Sequence, residues 1–313
     1  MVQTVVAIDL GGTSIKYALV NEDYKILFTG QMDSLASIGA DQVIEQIKKS
    51  VQKCLDYATA HGCKALAIGL GSPGITDKTN KIIVGGAENI VGWDNIPLAD
   101  LLTETFQLPT QLANDANLMA LGEATAGVAK GKTDVICLTI GTGVGGGMVI
   151  RGKLYGGYHS RGGELGHVPL IANGELCSCG SIGCLEQYAS TSALVRRYTQ
   201  QAQLLNKTLP KKVDGRYILS QYALGETLAI EQLNEHCYYV GRGVAGYINI
   251  FSPQMVVIGG GISESGDFYI EKIKEVAMEH CISECAVSTS IQVASLGGLA
   301  GCYGAAKLAF DIE

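Results

Sequence analysis

The chain has 313 residues, 47% of them hydrophobic, with 41 glycines and a formal charge of −7. It is long enough to bury a sizeable core without covalent staples, and its acidity, with no cluster of Lys and Arg, argues against a nucleic-acid partner. No apolar run approaches the ~20 residues of a membrane helix. The start Met1-Val2-Gln3-Thr4-Val5 has no basic region or cleavage site, so the expected location is the cytoplasm, with no membrane partner.

In chain order, Thr4 to Asp9 reads as a β-branched strand. Gly11-Gly12 follows as a turn, and a second apolar run reaches Val20, the pattern of a hairpin. Tyr24 to Gln31 is a candidate third strand. Asp41 to Ala60 carries Val43, Ile44, Ile47, Val51, Leu55 and Ala58 at helical spacing. Ala65 to Leu70 is an apolar strand running into a loop at Gly69 to Gly74. Pro97 opens a helix through Phe106, Pro109 to Ala113 is a short strand, and the chain is helical again from Asn117.

Near residue 134 the pattern restarts. Asp134 to Ile140 is apolar, Gly141 to Gly147 is glycine-rich, and Met148 to Ile150 continues as strand. This echoes the opening hairpin, and Met255 to Ile258 followed by Gly259-Gly260-Gly261 is a third strand ending in glycines. The repetition predicts an internally duplicated α/β architecture, with a domain boundary around residues 115–130. Residues 186–250 have helical period, and Lys207 to Gly215 reads as an exposed loop.

The strand–glycine units suggest phosphate binding. Consecutive backbone N–H groups unshielded by side chains form a nest for phosphate oxygens. Thr13 adds a hydroxyl, and Asp9 is placed to hold water on Mg²⁺, which takes one or two carboxylates beside phosphates. Alone, Asp9-Leu10-Gly11-Gly12-Thr13 is an ordinary hairpin turn; its recurrence shifts the reading toward a nucleotide. It is neither a Walker A loop nor a dinucleotide fingerprint.

Seven of the ten cysteines are scattered, while Cys177, Cys179 and Cys184 fall within eight residues, ten residues after His167. Three thiolates and an imidazole complete a tetrahedral Zn²⁺ shell with no open position, so the metal is expected to be structural. The alternative is three coincidental buried thiols. Glu164 and Glu186 flank the loop, and with His167 they make a set suited to reading sugar hydroxyls; taken singly, each is an ordinary solvated residue. Asp115 is either a helix N-cap or a base at the carboxyl end of a strand, where α/β sheets place ligands.

The chain resembles the ROK family of sugar kinases and repressors. The resemblance is carried by Asp9-Leu10-Gly11-Gly12-Thr13, Gly141 to Gly147, Gly163-Glu164-Leu165-Gly166-His167, the run Cys177 to Glu186, and Val257 to Gly261. These motifs occur in family order along nearly the whole chain, and the cysteine run is the most specific of them. The resemblance implies a duplicated actin-like, ribonuclease-H-like fold of two domains with an interdomain cleft. Residues 1–116 with 300–313 would form the smaller domain and 117–299 the larger, zinc-bearing one.

It further implies ATP on Gly11, Gly12, Thr13, Gly141, Thr142, Gly143, Gly145, Gly259 and Gly260, with Mg²⁺ near Asp9. Asp115 matches the family's base, and Gly71, Asn89, Asn114, Glu164, His167 and Glu186 match sugar-contacting positions. His167 would share its ring between zinc and sugar. Many members have Lys directly after Gly-Gly-Thr; here Ser14 stands there and Lys16, a candidate phosphate contact, lies two residues on. The implied reaction moves the γ-phosphoryl of ATP to a hexose hydroxyl, most simply O6 of glucose. N-acetylmannosamine, β-glucosides, fructose and allose are the alternative acceptors, and a homodimer or homotetramer is the implied assembly. A sugar-sensing regulator is the reading from another class, but family repressors carry an extra N-terminal helix-turn-helix for which Asp9 leaves no room.

Overall fold

In the computed structural model, residues 1–87 and 90–312 are described. Asn89, one of the expected sugar contacts, lies outside them. The first half runs β1 (Val2–Leu10), β2 (Ser14–Asn21), β3 (Ile26–Asp33), α1 (Ala40–Ala60), β4 (Cys63–Ser72), β5 (Ile75–Thr76), β6 (Ile83–Gly85), α2 (Leu98–Phe106), β7 (Thr110–Asn114) and α3 (Asp115–Thr125). Strands β8 (Val135–Ile140), β9 (Val144–Ile150) and β10 (Lys153–Leu154) follow, then α4 (Glu186–Ala189), α5 (Thr191–Leu204), α6 (Gly215–Ala223) and α7 (Thr227–Phe251). The chain ends with β11 (Met255–Gly259), α8 (Asp267–His280), α9 (Ser283–Ala286), β12 (Ser290–Val293) and α10 (Ala300–Phe310). None of the described helices is long and apolar enough to cross a membrane.

Two five-stranded sheets result, ordered β3-β2-β1-β4-β7 and β10-β9-β8-β11-β12. The same order within each triples-and-pair set reflects the duplication: β1 runs antiparallel to β2 and parallel to β4, and β8 runs parallel to β11. The expected glycine loop at 141–147 is shorter than its composition suggests, because β9 already begins at Val144. Gly146 and Gly147 serve as strand residues, where a Cβ would lie 2.6 Å from the Leu165 side chain and 2.8 Å from Asn117 Cα, respectively.

The chain divides into two compact units. Unit one comprises Met1–Thr133, Gly147–Gly163 and Ser295–Glu313; unit two comprises Asp134–Gly146 and Glu164–Ala294. In unit one, β1 is buried over most of its length, as a strand covered on both faces requires. Helix α1 buries Val43, Ile44, Ile47, Val51 and Ala58 against this sheet, the stripe its period predicts. The opposite face takes α10, whose small residues let backbones meet: a Cβ on Gly304 would lie 1.9 Å from the Leu118 carbonyl oxygen of α3. Trp93, 1% exposed, joins the same core and donates from Nε1 to Ser72 Oγ at 3.0 Å.

Unit two builds its centre from the parallel strands β8, β11 and β12. The long α7 buries Leu233, Val240, Val244 and Ile248 and packs on α8.

Candidate active site

In unit one, three parallel strands end together. Pairing places Asp9 of β1 opposite Gly71 of β4, and Ser72 opposite Asn114 of β7. Chain ends of this kind are where α/β sheets expose ligand-binding groups. Gly71 sits between the two acids: a Cβ there would lie 3.6 Å from Asp115 Cα and 3.7 Å from Asp9 Oδ1. Burial pushes the Asp9 carboxyl up to about 6; the Asp115 charge adds to the rise and Lys16, its cross-strand partner, opposes it. Gly301 of α10 closes the far side, where a Cβ would fall 2.4 Å from Asp9 Cγ.

Asn114, rather than Asp115, is the N-cap of α3. Its Oδ1 accepts from Ala116 N (3.0 Å) and Asn117 N (3.3 Å), and its Nδ2 donates to Gly74 O at 3.1 Å. Asn114 therefore has a structural task besides the sugar contact expected of it. Asp115 is the first residue of the helix, its Oδ1 accepting from Ala116 N at 2.9 Å.

The β1–β2 turn is pinned from behind. Ser34 donates from N to Thr13 O (3.1 Å) and from Oγ to Gly12 O (3.3 Å), which leaves Gly12 and Thr13 on the exposed side. Lys16 Nζ lies against the turn entering α10, 2.7 Å from where a Gly298 Cβ would stand.

Unit two contains a cavity of about 900 Å³. Gly141 and Thr142 form one wall, α5 contributes Thr191, Val195 and Arg196, the segment Lys212–Arg216 covers another side, and Gly261 with Ile262 closes the end of β11. Of the expected nucleotide glycines, Gly141 and Thr142's loop line it. Gly259 is buried inside β11, and a Cβ on Gly260, at φ +98°, would lie 2.1 Å from Ile140 O. These two shape the strand end, and Gly261 takes the wall position. Gly145 lies within β9. Gly143 faces Glu186 instead, whose Oε2 would stand 2.3 Å from a Cβ there. The contributions of α5 and of residues 212–216 have no motif; the only signal was the polar loop 207–215 leading into α6.

His167, Cys177, Cys179 and Cys184 offer ligand atoms all within 4.8 Å of one another. His167 Nδ1 lies 3.6 Å from Cys177 Sγ, and the Cys179 and Cys184 sulfurs are 3.7 Å apart. A tetrahedral zinc with Zn–S bonds of about 2.3 Å sets its sulfurs about 3.7 Å apart, so the donor set and its edges fit a closed four-coordinate shell. Gly180 and Gly183, at φ +86° and +73°, supply the turns of the knuckle. Glu186 opens α4 and accepts from Val144 N at 2.9 Å, tying the metal loop to the glycine loop. Glu164 is exposed and its carbonyl accepts from His167 N at 3.1 Å. Unit one thus gathers Asp9, Gly71, Asn114 and Asp115, and unit two Glu164, His167 and Glu186 around the cysteines.

The model of the ROK family matches residues 5–312. A glucokinase of Thermotoga maritima is 35% identical over 311 residues, spanning 97% of this chain and 96% of that protein. Among solved structures, a ROK family glucokinase from Streptomyces griseus in complex with glucose and AMPPNP superposes with a TM-score of 0.82 at 31% identity, covering 99% of this chain and 100% of the other. A ROK hexokinase from Thermus thermophilus gives 0.84 at 32% identity, covering 98% of each chain.

Proposed function

The chain belongs to the ROK family, and from that premise we infer that it is an ATP-dependent hexose kinase that phosphorylates glucose. One observation carries the reading: likeness to a glucokinase, at 35% identity, runs along 97% of the chain and so spans every glycine loop, acid and candidate metal ligand named above. The duplicated actin-like α/β fold of the ROK kinases agrees with it.

Phosphoryl transfer passes through a loose transition state, so positioning and electrostatics supply most of the rate. In our reading, ATP occupies the cavity walled by Gly141, Thr142 and Gly261. The turn at Gly11 to Thr13, with Lys16 of β2, is proposed to bind phosphate oxygens through its backbone amides. Asp9 is the residue to hold Mg²⁺, which when bound offsets the charge of the phosphate oxygens. Glu164, His167, Glu186, Asn114, Gly71 and Asn89 read the sugar hydroxyls. Asp115 orients the O6 hydroxyl and takes its proton as the new O–P bond forms. His167, Cys177, Cys179 and Cys184 would hold a structural zinc that fixes the loop bearing Glu186. Three uncapped thiol ligands suit a reducing compartment, which supports a cytoplasmic location, and a homodimer or homotetramer is the assembly we infer.

The test is ADP release from ATP and Mg²⁺ across a sugar panel. Glucose should stimulate release strongly, with fructose, allose, N-acetylmannosamine and a β-glucoside weaker. The absence of stimulation by any sugar would sink the reading. Preference for one of the others would move the assignment within the hexose kinases.

A further inference from the structure

The start of α5 touches two places in unit two at once. Its first residue donates from Thr191 N to Gly141 O at 2.9 Å, fastening the helix to the glycine loop of the cavity. One turn on, Arg196 lines that cavity, yet its guanidinium bonds away from it. Nη2 donates to Gln187 O at 2.8 Å and to Glu175 Oε2 at 2.5 Å, and Nη1 to Gln187 Oε1 at 3.5 Å. With its oxygen held, the Gln187 amide turns Nε2 toward Cys177 Sγ, 3.6 Å away.

Glu175 belongs to the metal loop itself. Its carbonyl accepts from Gly183 N at 2.8 Å and its N–H donates to Tyr188 Oη at 2.6 Å. One arginine therefore faces the cavity, orients the amide aimed at a candidate metal ligand, and pins the segment that carries that ligand. Neither the motifs nor the proposed reaction gives Arg196, Gln187 or Glu175 a task.

We propose that Arg196 is a positioning residue that couples the nucleotide cavity to the Cys-His loop, so that bound nucleotide and bound zinc retain one another. The proposal rests on the nucleotide reading of the cavity. A planar guanidinium can hold two acceptors in fixed directions, which an ammonium cannot. The Arg196–Glu175 ion pair is partly exposed, at 34% and 49% of the side chains, so its own stabilisation is small. What it contributes is geometry. Donors behind a metal ligand set its orientation, and their loss typically lowers metal affinity about 10–100-fold. A nucleotide that restricts Arg196 restricts Gln187 as well, and such coupling is reciprocal at equilibrium.

The experiment follows zinc release from the zinc-loaded full chain into excess chelator, read by a metallochromic dye, with and without saturating ADP. Calorimetric titration of ADP is run in parallel on wild type, Arg196→Lys and Gln187→Met. In the wild type ADP should slow release several-fold. Arg196→Lys should keep stoichiometric zinc and bind ADP but lose the slowing. Gln187→Met should release zinc about 10-fold faster and lose the slowing too. Wild-type protein that binds ADP with no change in zinc release would overturn the coupling, as would an Arg196→Lys protein with the full ADP effect. Wild-type protein that binds no ADP would overturn both the coupling and the nucleotide reading beneath it.

Discussion

Asp9 and Asp115 stand at neighbouring strand ends with Gly71 between them, and their charges oppose each other. The same proximity suits a metal-held phosphate on one side and an activated hydroxyl on the other. Asp115→Asn keeps the shape and the helix start but removes the carboxylate proposed as the base. Turnover should fall by about 10²–10⁴-fold, with glucose affinity in equilibrium titration largely retained; near-normal kcat would remove Asp115 from the mechanism. Gly143→Ala tests the neighbouring loop, since the added methyl meets Glu186 Oε2. The glutamate, a flexible side chain, should yield before the backbone does. KM for sugar should rise while thermal stability changes little; an unchanged KM would argue against Glu186 as a sugar contact. The clustering of His167 with Cys177, Cys179 and Cys184 was legible in the sequence because candidate metal ligands announce themselves by residue type and close spacing. Arg196 was not, because its partners lie 9 and 21 residues away and meet it only once α5 is docked. Asn114 as cap of α3 was missed for a subtler reason: Asn and Asp both cap helices well, and they are adjacent here.

Among the elements, the loop from Glu164 to Glu186 has little regular structure to hold it. Its coherence comes from four candidate metal ligands and a few turn hydrogen bonds. Chelation should lower the melting temperature and abolish sugar binding, both restored by zinc; a chelated, metal-free protein with unchanged melting would count against a structural metal.

Helices α7 and α8 offer a pH effect with a definite sign. His236, wholly buried on α7, pairs through Nε2 with Tyr269 Oη of α8 at 2.9 Å. Burial, and then the nearby Arg197 charge, push its pKa down to about 3. The unfolded chain takes up the proton near 6.5, so it binds more protons than the folded one between about pH 6.5 and 3. This group's stabilisation is thus full above 6.5 and is lost on acidification, at up to about 1.4 kcal/mol per pH unit. In urea melts between pH 6.5 and 4, His236→Phe should flatten the decline, after a constant offset for the lost bond; an unaltered slope would exclude His236 as its source. Most element positions followed from apolar period alone, as in α1. Strand β9 did not, since glycines that read as a loop proved to be packing positions that only a folded neighbour demands.

For the molecule as a whole, the chain returns to unit one at Ser295, a feature that local sequence pattern could not reveal and that only the family resemblance implied, from residue 300. Buried Glu123 fastens that return. Its carboxylate accepts from Val128 N (3.0 Å), Ser295 N (2.9 Å), Ser295 Oγ (3.1 Å) and Leu296 N (2.9 Å). Glu123→Ala would leave several donors unsatisfied, each costing about 1–3 kcal/mol. A loss of about 3 kcal/mol or more is expected from the urea midpoint of unit one, and a loss under 1 kcal/mol would show that the residue is dispensable.

The indole of Trp93 is the chain's one tryptophan, and it lies deep in unit one, bonded to Ser72. Tryptophan emission, excited beyond the absorbance of the 14 tyrosines, therefore watches a single half of the protein. A red shift during denaturation times the opening of that half, while far-ultraviolet dichroism averages both. Any separation between the two curves gives the stability difference between the halves without a label.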